Sequence, residues 1–163
     1  LLAVVSVQSL THAYRYEALL PPRGLETATA VVAPEGASLR LTAEDARTSA
    51  ELAQVREQYG LAGTPILDVT GASPGYIRQL GGRPVGSSWL LGGYPGSDAA
   101  ALDAVATDPH GVQDAWVLDA PDSPRRIEGL LPGLGLSVER DFEPVATFRH
   151  VLGYDVVLLR PVD

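Results

Sequence analysis

The sequence predicts an α/β domain of three layers, in which a mixed, mostly parallel sheet carries helices on both faces and ends in an antiparallel hairpin. Short apolar runs of strand length alternate with segments that begin at Ser or Thr and stop at Gly or Pro, the punctuation of strand-loop-helix units. Two extended stretches, roughly 136–150 and 154–160, then flank Gly153, which suits a terminal hairpin. The chain has 163 residues with 45% apolar and 20% charged side chains, enough for one core without staples. It is therefore expected to form a single domain over 1–163.

The opening run Leu1-Leu2-Ala3-Val4-Val5-Ser6-Val7 reads as a strand or as the end of a membrane segment lying upstream. It is too short to span a bilayer and lacks the basic start of a signal peptide. The missing initiating Met leads us to expect a piece of a longer protein. Tyr14-Arg15-Tyr16-Glu17 continues in a strand-like alternation until Pro21-Pro22-Arg23-Gly24 breaks it. Two further short strands are expected around residues 29–33 and 39–41, separated by Pro34-Glu35-Gly36.

Thr42-Ala43-Glu44-Asp45 approaches the capping-box form, with Asp standing where the longer Glu is usual. It opens a helix to about Tyr59, and Gly60 occupies the position that favours a left-handed residue after a helix. Two strand-loop-helix units are then expected in the stretch 64–97. The first pairs Pro65-Ile66-Leu67-Asp68-Val69-Thr70 with the loop Gly71-Ala72-Ser73-Pro74-Gly75; the second pairs Trp89-Leu90-Leu91 with Gly92-Gly93-Tyr94-Pro95-Gly96-Ser97. Ser73 and Ser97 are expected to cap the helices that follow. Residues 112–118 read as a buried strand, and Ser123-Pro124 as the start of a short helix ended by Pro132-Gly133.

Charge and residue usage exclude several chemistries. A net charge of −8, with twelve Arg and no Lys, argues against a nucleic-acid surface, so no nucleic-acid partner is expected. Without Lys there is no P-loop lysine or lysine Schiff base, and without Cys no thiolate nucleophile or disulfide. His12, His110 and His150 lie far apart with no ligand spacing, so neither a metal site nor a cofactor is expected. The acid pairs Glu44 with Asp45 and Asp119 with Asp122 suit a helix start and a solvated turn, and Arg125-Arg126 suits surface charge rather than a phosphate clamp.

Gly71-Ala72-Ser73-Pro74-Gly75 matches the G-x-S-x-G form of a hydrolase nucleophile elbow, and Asp119 or Asp122 and then His150 follow in acid-then-histidine order. The residue after the nucleophile must donate its N–H to the oxyanion, and here it is Pro74, which has none. Ser73 as a helix cap with Pro74 in the first turn explains the same letters. If both strands are parallel neighbours, both glycine loops open on the carboxyl edge, where open α/β sheets bind ligands. The candidate ligand-binding residues there are Asp68, Ser73, Gly93, Tyr94, Gly96, Ser97 and Asp98. Tyr94, an aromatic in a glycine-rich loop, is placed to stack on a sugar ring. No catalytic residue is assigned.

The run Asp68-Val69-Thr70-Gly71-Ala72-Ser73-Pro74-Gly75, followed by Leu80-Gly81-Gly82-Arg83-Pro84-Val85-Gly86 and by Gly92-Gly93-Tyr94-Pro95-Gly96-Ser97, resembles the C-terminal soluble domain of actinobacterial multi-pass membrane proteins related to C-type glycosyltransferases. The resemblance covers mainly residues 40–120. It implies a domain on the extracytoplasmic face of the cell membrane, anchored by its own upstream transmembrane helices. The parent enzyme would move a sugar from a polyprenyl-phosphate donor onto a cell-envelope glycan. The family's catalytic acid lies in the membrane part, so the resemblance implies a non-catalytic domain that binds or positions acceptor glycan or stabilises the enzyme. The alternative is a free-standing α/β enzyme, either an esterase using Ser73 or a methyltransferase-like protein with a terminal hairpin.

Overall fold

The computed structural model describes residues 29–32, 38–150 and 152–162, and the strand or connector expected over 1–20 lies outside them. The chain divides into two compact units at Arg47/Thr48. In the first, β1 (Thr29–Val32) and β2 (Ser38–Leu41) pair antiparallel, with Thr29 opposite Leu41 and Val32 opposite Ser38.

Helix α1 (Ala43–Tyr59) crosses the division and starts as its sequence dictates. The Asp45 N–H donates to Thr42 Oγ1 at 3.1 Å, and the Thr42 hydroxyl donates to Asp45 Oδ2 at 2.7 Å, so the threonine caps the helix while the shorter acid meets its hydroxyl instead of the backbone N–H that a capping box would satisfy. Gly60 follows at φ +63°, ending the helix.

The second unit is built on five strands: β3 (Pro65–Asp68), β4 (Arg83–Pro84), β5 (Trp116–Asp119), β6 (Phe142–Arg149) and β7 (Asp155–Pro161). Their order in space is β4-β3-β5-β7-β6. β3 pairs parallel with both β4 and β5, whereas β7 pairs antiparallel with both β5 and β6. The sheet is thus evenly mixed, which corrects the expectation of a mostly parallel one. The terminal hairpin inserts its second strand between β5 and β6, so its antiparallel pairings extend into the middle of the sheet. A register shift between Pro144 and Ala146 bends β6, an edge strand where a proline without an N–H is tolerated.

The strands are joined by short helices: α2 (Pro74–Gln79), α3 (Ser97–Ala106), α4 (Pro109–Gln113), α5 (Leu130–Gly133) and α6 (Val138–Asp141). Alternation along the strands divides the core into two clusters. Ile66, Leu118, Val156 and Leu158 join Leu52 of α1 and Ile77 of α2 in one, and Leu67, Val69, Val117 and Leu159 join Ala101 and Val105 of α3 and Leu130 of α5 in the other. Each such fully buried Leu or Ile contributes about 2 kcal/mol by leaving water. No helix among the described residues is long and apolar enough to cross a membrane.

Three local expectations are corrected. Trp89-Leu90-Leu91 is irregular chain, not a strand: Leu90 is buried, while Trp89 and Leu91 face solvent. The strand expected over 112–118 is shorter, because Asp108 accepts the Gly111 N–H and winds Pro109–Gln113 into α4 first. Ser123-Pro124 starts no helix; the Ser123 hydroxyl turns back to the Thr70 carbonyl at 3.1 Å, and the next helix begins at Leu130.

Candidate functional site

The carboxyl ends of β3 and β5 define the site. The chain after β3 leads through α2 to Ile77 in one core cluster, and the chain after β5 leads to Ile127 and Leu130 in the other. Two parallel neighbours whose continuations diverge in this way leave the position where open α/β sheets bind ligands.

Asp68 ends β3 and Asp119 ends β5, and both side chains are buried. Asp68 Oδ1 accepts from the Thr70 N–H at 2.9 Å and from the Thr70 hydroxyl at 2.6 Å, while Oδ2 has no partner among the described residues. Burial raises its pKa to about 6, against the lowering pull of the Thr70 hydroxyl and of the Thr70, Ser73 and Gly71 N–H groups. Asp119 instead holds Arg126 in a two-point contact, at 2.7 Å from Nε and 2.9 Å from Nη2. That pair corrects the reading of Asp119 as part of a solvated turn and of Arg126 as surface charge.

The two glycine loops do meet at this edge, with the Gly92 N–H reaching the Gly71 carbonyl at 3.4 Å. A third segment, 119–129, packs between them. The Ile127 N–H donates to the Val69 carbonyl at 2.9 Å, and the Arg125 carbonyl comes so close that a methyl group on either Gly71 or Gly92 would overlap it. Glycine at those two positions is therefore required by backbone-to-backbone approach. The inner part of the edge is filled by the chain's own backbone, and the exposed side chains at its rim are those of Trp89, Tyr94 and Arg125.

The expected site residues accordingly separate. Asp68, Ser73 and Ser97 are buried, and Tyr94 is 46% exposed. Gly93, at φ +81°, stands where a Cβ would come within 2.8 Å of the Pro124 carbonyl, and Gly96, at φ +85°, holds the N-cap position of α3 in place of Ser97. Asp98 Oδ2 accepts the Gly129 N–H at 3.0 Å, which ties α3 to the segment before α5. Ser73 does stand before α2 with Pro74 in the first turn, but its hydroxyl makes no cap bond and is buried without a partner among the described residues. Compared with protein-family models, curated proteins and solved structures, the chain matches none.

The acid-then-histidine order after Ser73 does not assemble into a nucleophile and base. Asp119 is engaged by Arg126. His150 Nδ1 accepts the Leu152 N–H at 3.1 Å, its Nε2 faces the Tyr154 hydroxyl at 3.4 Å, and its ring stacks on Tyr154 with centroids 4.3 Å apart. Burial lowers the His150 pKa and favours the neutral ring. A hydrolase serine needs an exposed hydroxyl bonded to its base, and Ser73 has neither property. Among the described residues, no cluster of three or more His, Asp or Glu could hold a metal ion.

Sequence reasoning missed Trp89, exposed by 58% on the approach to the second glycine loop, because the apolar run around it imitates a strand. It set Arg125 down as surface charge; the side chain is exposed, and its approach to the Gly93 loop comes from folding and leaves no local signature.

Proposed function

We propose that this chain is the extracytoplasmic, non-catalytic domain of a membrane glycosyltransferase of cell-envelope glycan synthesis, and that its carboxyl-edge rim binds and positions acceptor glycan. The observation that carries the proposal is the loop around Gly92: Trp89 and Tyr94, before and after it in the chain, face solvent, while the Gly92 backbone is held against the Arg125 carbonyl. Exposed aromatic rings on a fixed loop offer apolar faces to a sugar ring at little entropic cost. The resemblance of the glycine-rich motifs supplies the membrane context, with an upstream transmembrane domain as partner. The division of the core into two clusters supports reading the domain as three layers, with helices on both faces of the sheet.

The test is a calorimetric and NMR titration of the 163-residue chain with fragments of envelope glycan. Binding that weakens about tenfold in both Trp89→Ala and Tyr94→Ala, with folding intact, supports the reading. Absence of binding at millimolar glycan would leave a role in stabilising the parent enzyme and overturn the glycan reading.

A further inference from the structure

Arginine in the second unit is almost always engaged. Arg56, Arg83, Arg126, Arg140, Arg149 and Arg160 each reach a carboxylate. Arg125 differs: its side chain is exposed and reaches no acid among the described residues, although the exposed Asp122 lies three positions upstream. Its backbone is fixed from two sides. The N–H donates to Ser123 Oγ at 3.2 Å, and the carbonyl is wedged against Gly71 and Gly92. The base of its side chain lies over the second glycine loop, with Cγ 3.5 Å from where a Cβ on Gly93 would stand, next to the exposed Tyr94.

We infer that the glycan held at this rim carries an anionic group, a uronate carboxylate or a sugar phosphate, and that Arg125 reads it while Tyr94 covers the adjoining ring. The inference rests on the glycan reading above and names its ligand class. A chain of net charge −8 repels anions at long range, so an anionic saccharide needs a local cation, and a guanidinium offers paired donors matched to a carboxylate or phosphate. Anchoring the Arg125 backbone limits the freedom lost on binding to the side chain itself.

The experiment titrates the 163-residue chain with matched saccharides that are neutral, uronate-bearing or phosphorylated, and with inorganic phosphate, following the Arg125 Nε–Hε and Tyr94 ring resonances. The expected result is about tenfold tighter binding of one anionic saccharide than of its neutral counterpart, lost in Arg125→Gln and weakened by added salt. Which anionic arm binds separates carboxylate from phosphate. Equal binding of neutral and anionic saccharides, unchanged in Arg125→Gln, overturns this inference and leaves the glycan reading standing. If inorganic phosphate shifts Arg125 but no saccharide binds, the anion site stands and the glycan reading falls; silence from every ligand overturns both. The Arg125 side chain is exposed, so the variant is expected to keep the parent's melting temperature, which is measured alongside.

Discussion

Asp68 and Asp119 end neighbouring parallel strands and are both buried, yet they solve the same electrostatic problem in opposite ways. Asp119 has a guanidinium on both oxygens, so its charge is matched by charge. Asp68 has only a threonine and neighbouring N–H groups, and its second oxygen has no partner among the described residues. These dipoles do not offset the loss of water, which is why burial prevails and its pKa rises to about 6. The β5 end is a structural joint, and the β3 end is a strained one.

Removing the contact that holds the two ends together is expected to have the largest effect. Gly71→Ala would drive a methyl group into the Arg125 carbonyl and also occupy φ +69°, unfavourable for any side chain. We expect a loss of about 4 kcal/mol, or failure to fold, read as the denaturant midpoint. A variant as stable as the parent would show that the three loops do not meet as described.

The next largest is Arg126→Ala, which leaves Asp119 buried and unpaired. The expected cost is about 3 kcal/mol, toward the lower end for a broken buried pair because Arg126 remains 24% exposed. Arg126→Ala in an Asp119→Asn background should cost much less. If the two changes simply add, the pair contributes no coupling and the contrast with Asp68 collapses.

These joints show what the sequence displays and what it hides. The α1 cap and Gly60 were legible because all their partners lie within one helical turn or at its end. The C-terminal hairpin was legible for a similar reason, as two extended stretches around one glycine, but the first starts only at Phe142, because Val138–Asp141, expected to be extended, winds into α6. The insertion of β7 between β5 and β6, which makes the sheet evenly mixed, was not, since nothing local to residues 155–161 specifies which strand lies on their other side. At the site, the meeting of the two glycine loops was anticipated, but through a second strand that does not exist. Leu90 is buried by tertiary contacts in irregular chain, and the carbonyl between the loops belongs to Arg125, far downstream of both in sequence.

The pH dependence sharpens the contrast further. Asp68 binds its proton more tightly folded than unfolded, so between its unfolded value of 3.8 and about 6 the native state holds more protons. Its stabilising contribution is complete below the lower value and is lost as pH rises through the upper one, a change of up to about 2–3 kcal/mol. His150 acts in the other sense, because its lowered pKa gives a contribution present at neutral pH that is lost on acidification. Asp68→Asn should therefore be more stable than the parent at pH 8 by about 2 kcal/mol, with the difference vanishing near pH 4. Parallel stability curves for the two proteins from pH 4 to 8 would show that Asp68 is not strained.

The smallest effect separates two accounts of Ser73. A serine whose hydroxyl caps a helix loses about 1 kcal/mol on replacement by alanine. Here the hydroxyl stands at the cap position, is buried, and has no hydrogen-bond partner among the described residues. Deleting an unsatisfied buried hydroxyl removes a desolvation cost without removing a bond. Ser73→Ala should then be neutral or stabilising by about 1 kcal/mol, the opposite sign to a cap. Chemical denaturation of the two proteins at pH 7 decides it: a loss of about 1 kcal/mol would mean that the hydroxyl has a partner in solution, and the strain assigned to the β3 end would then rest on Asp68 alone.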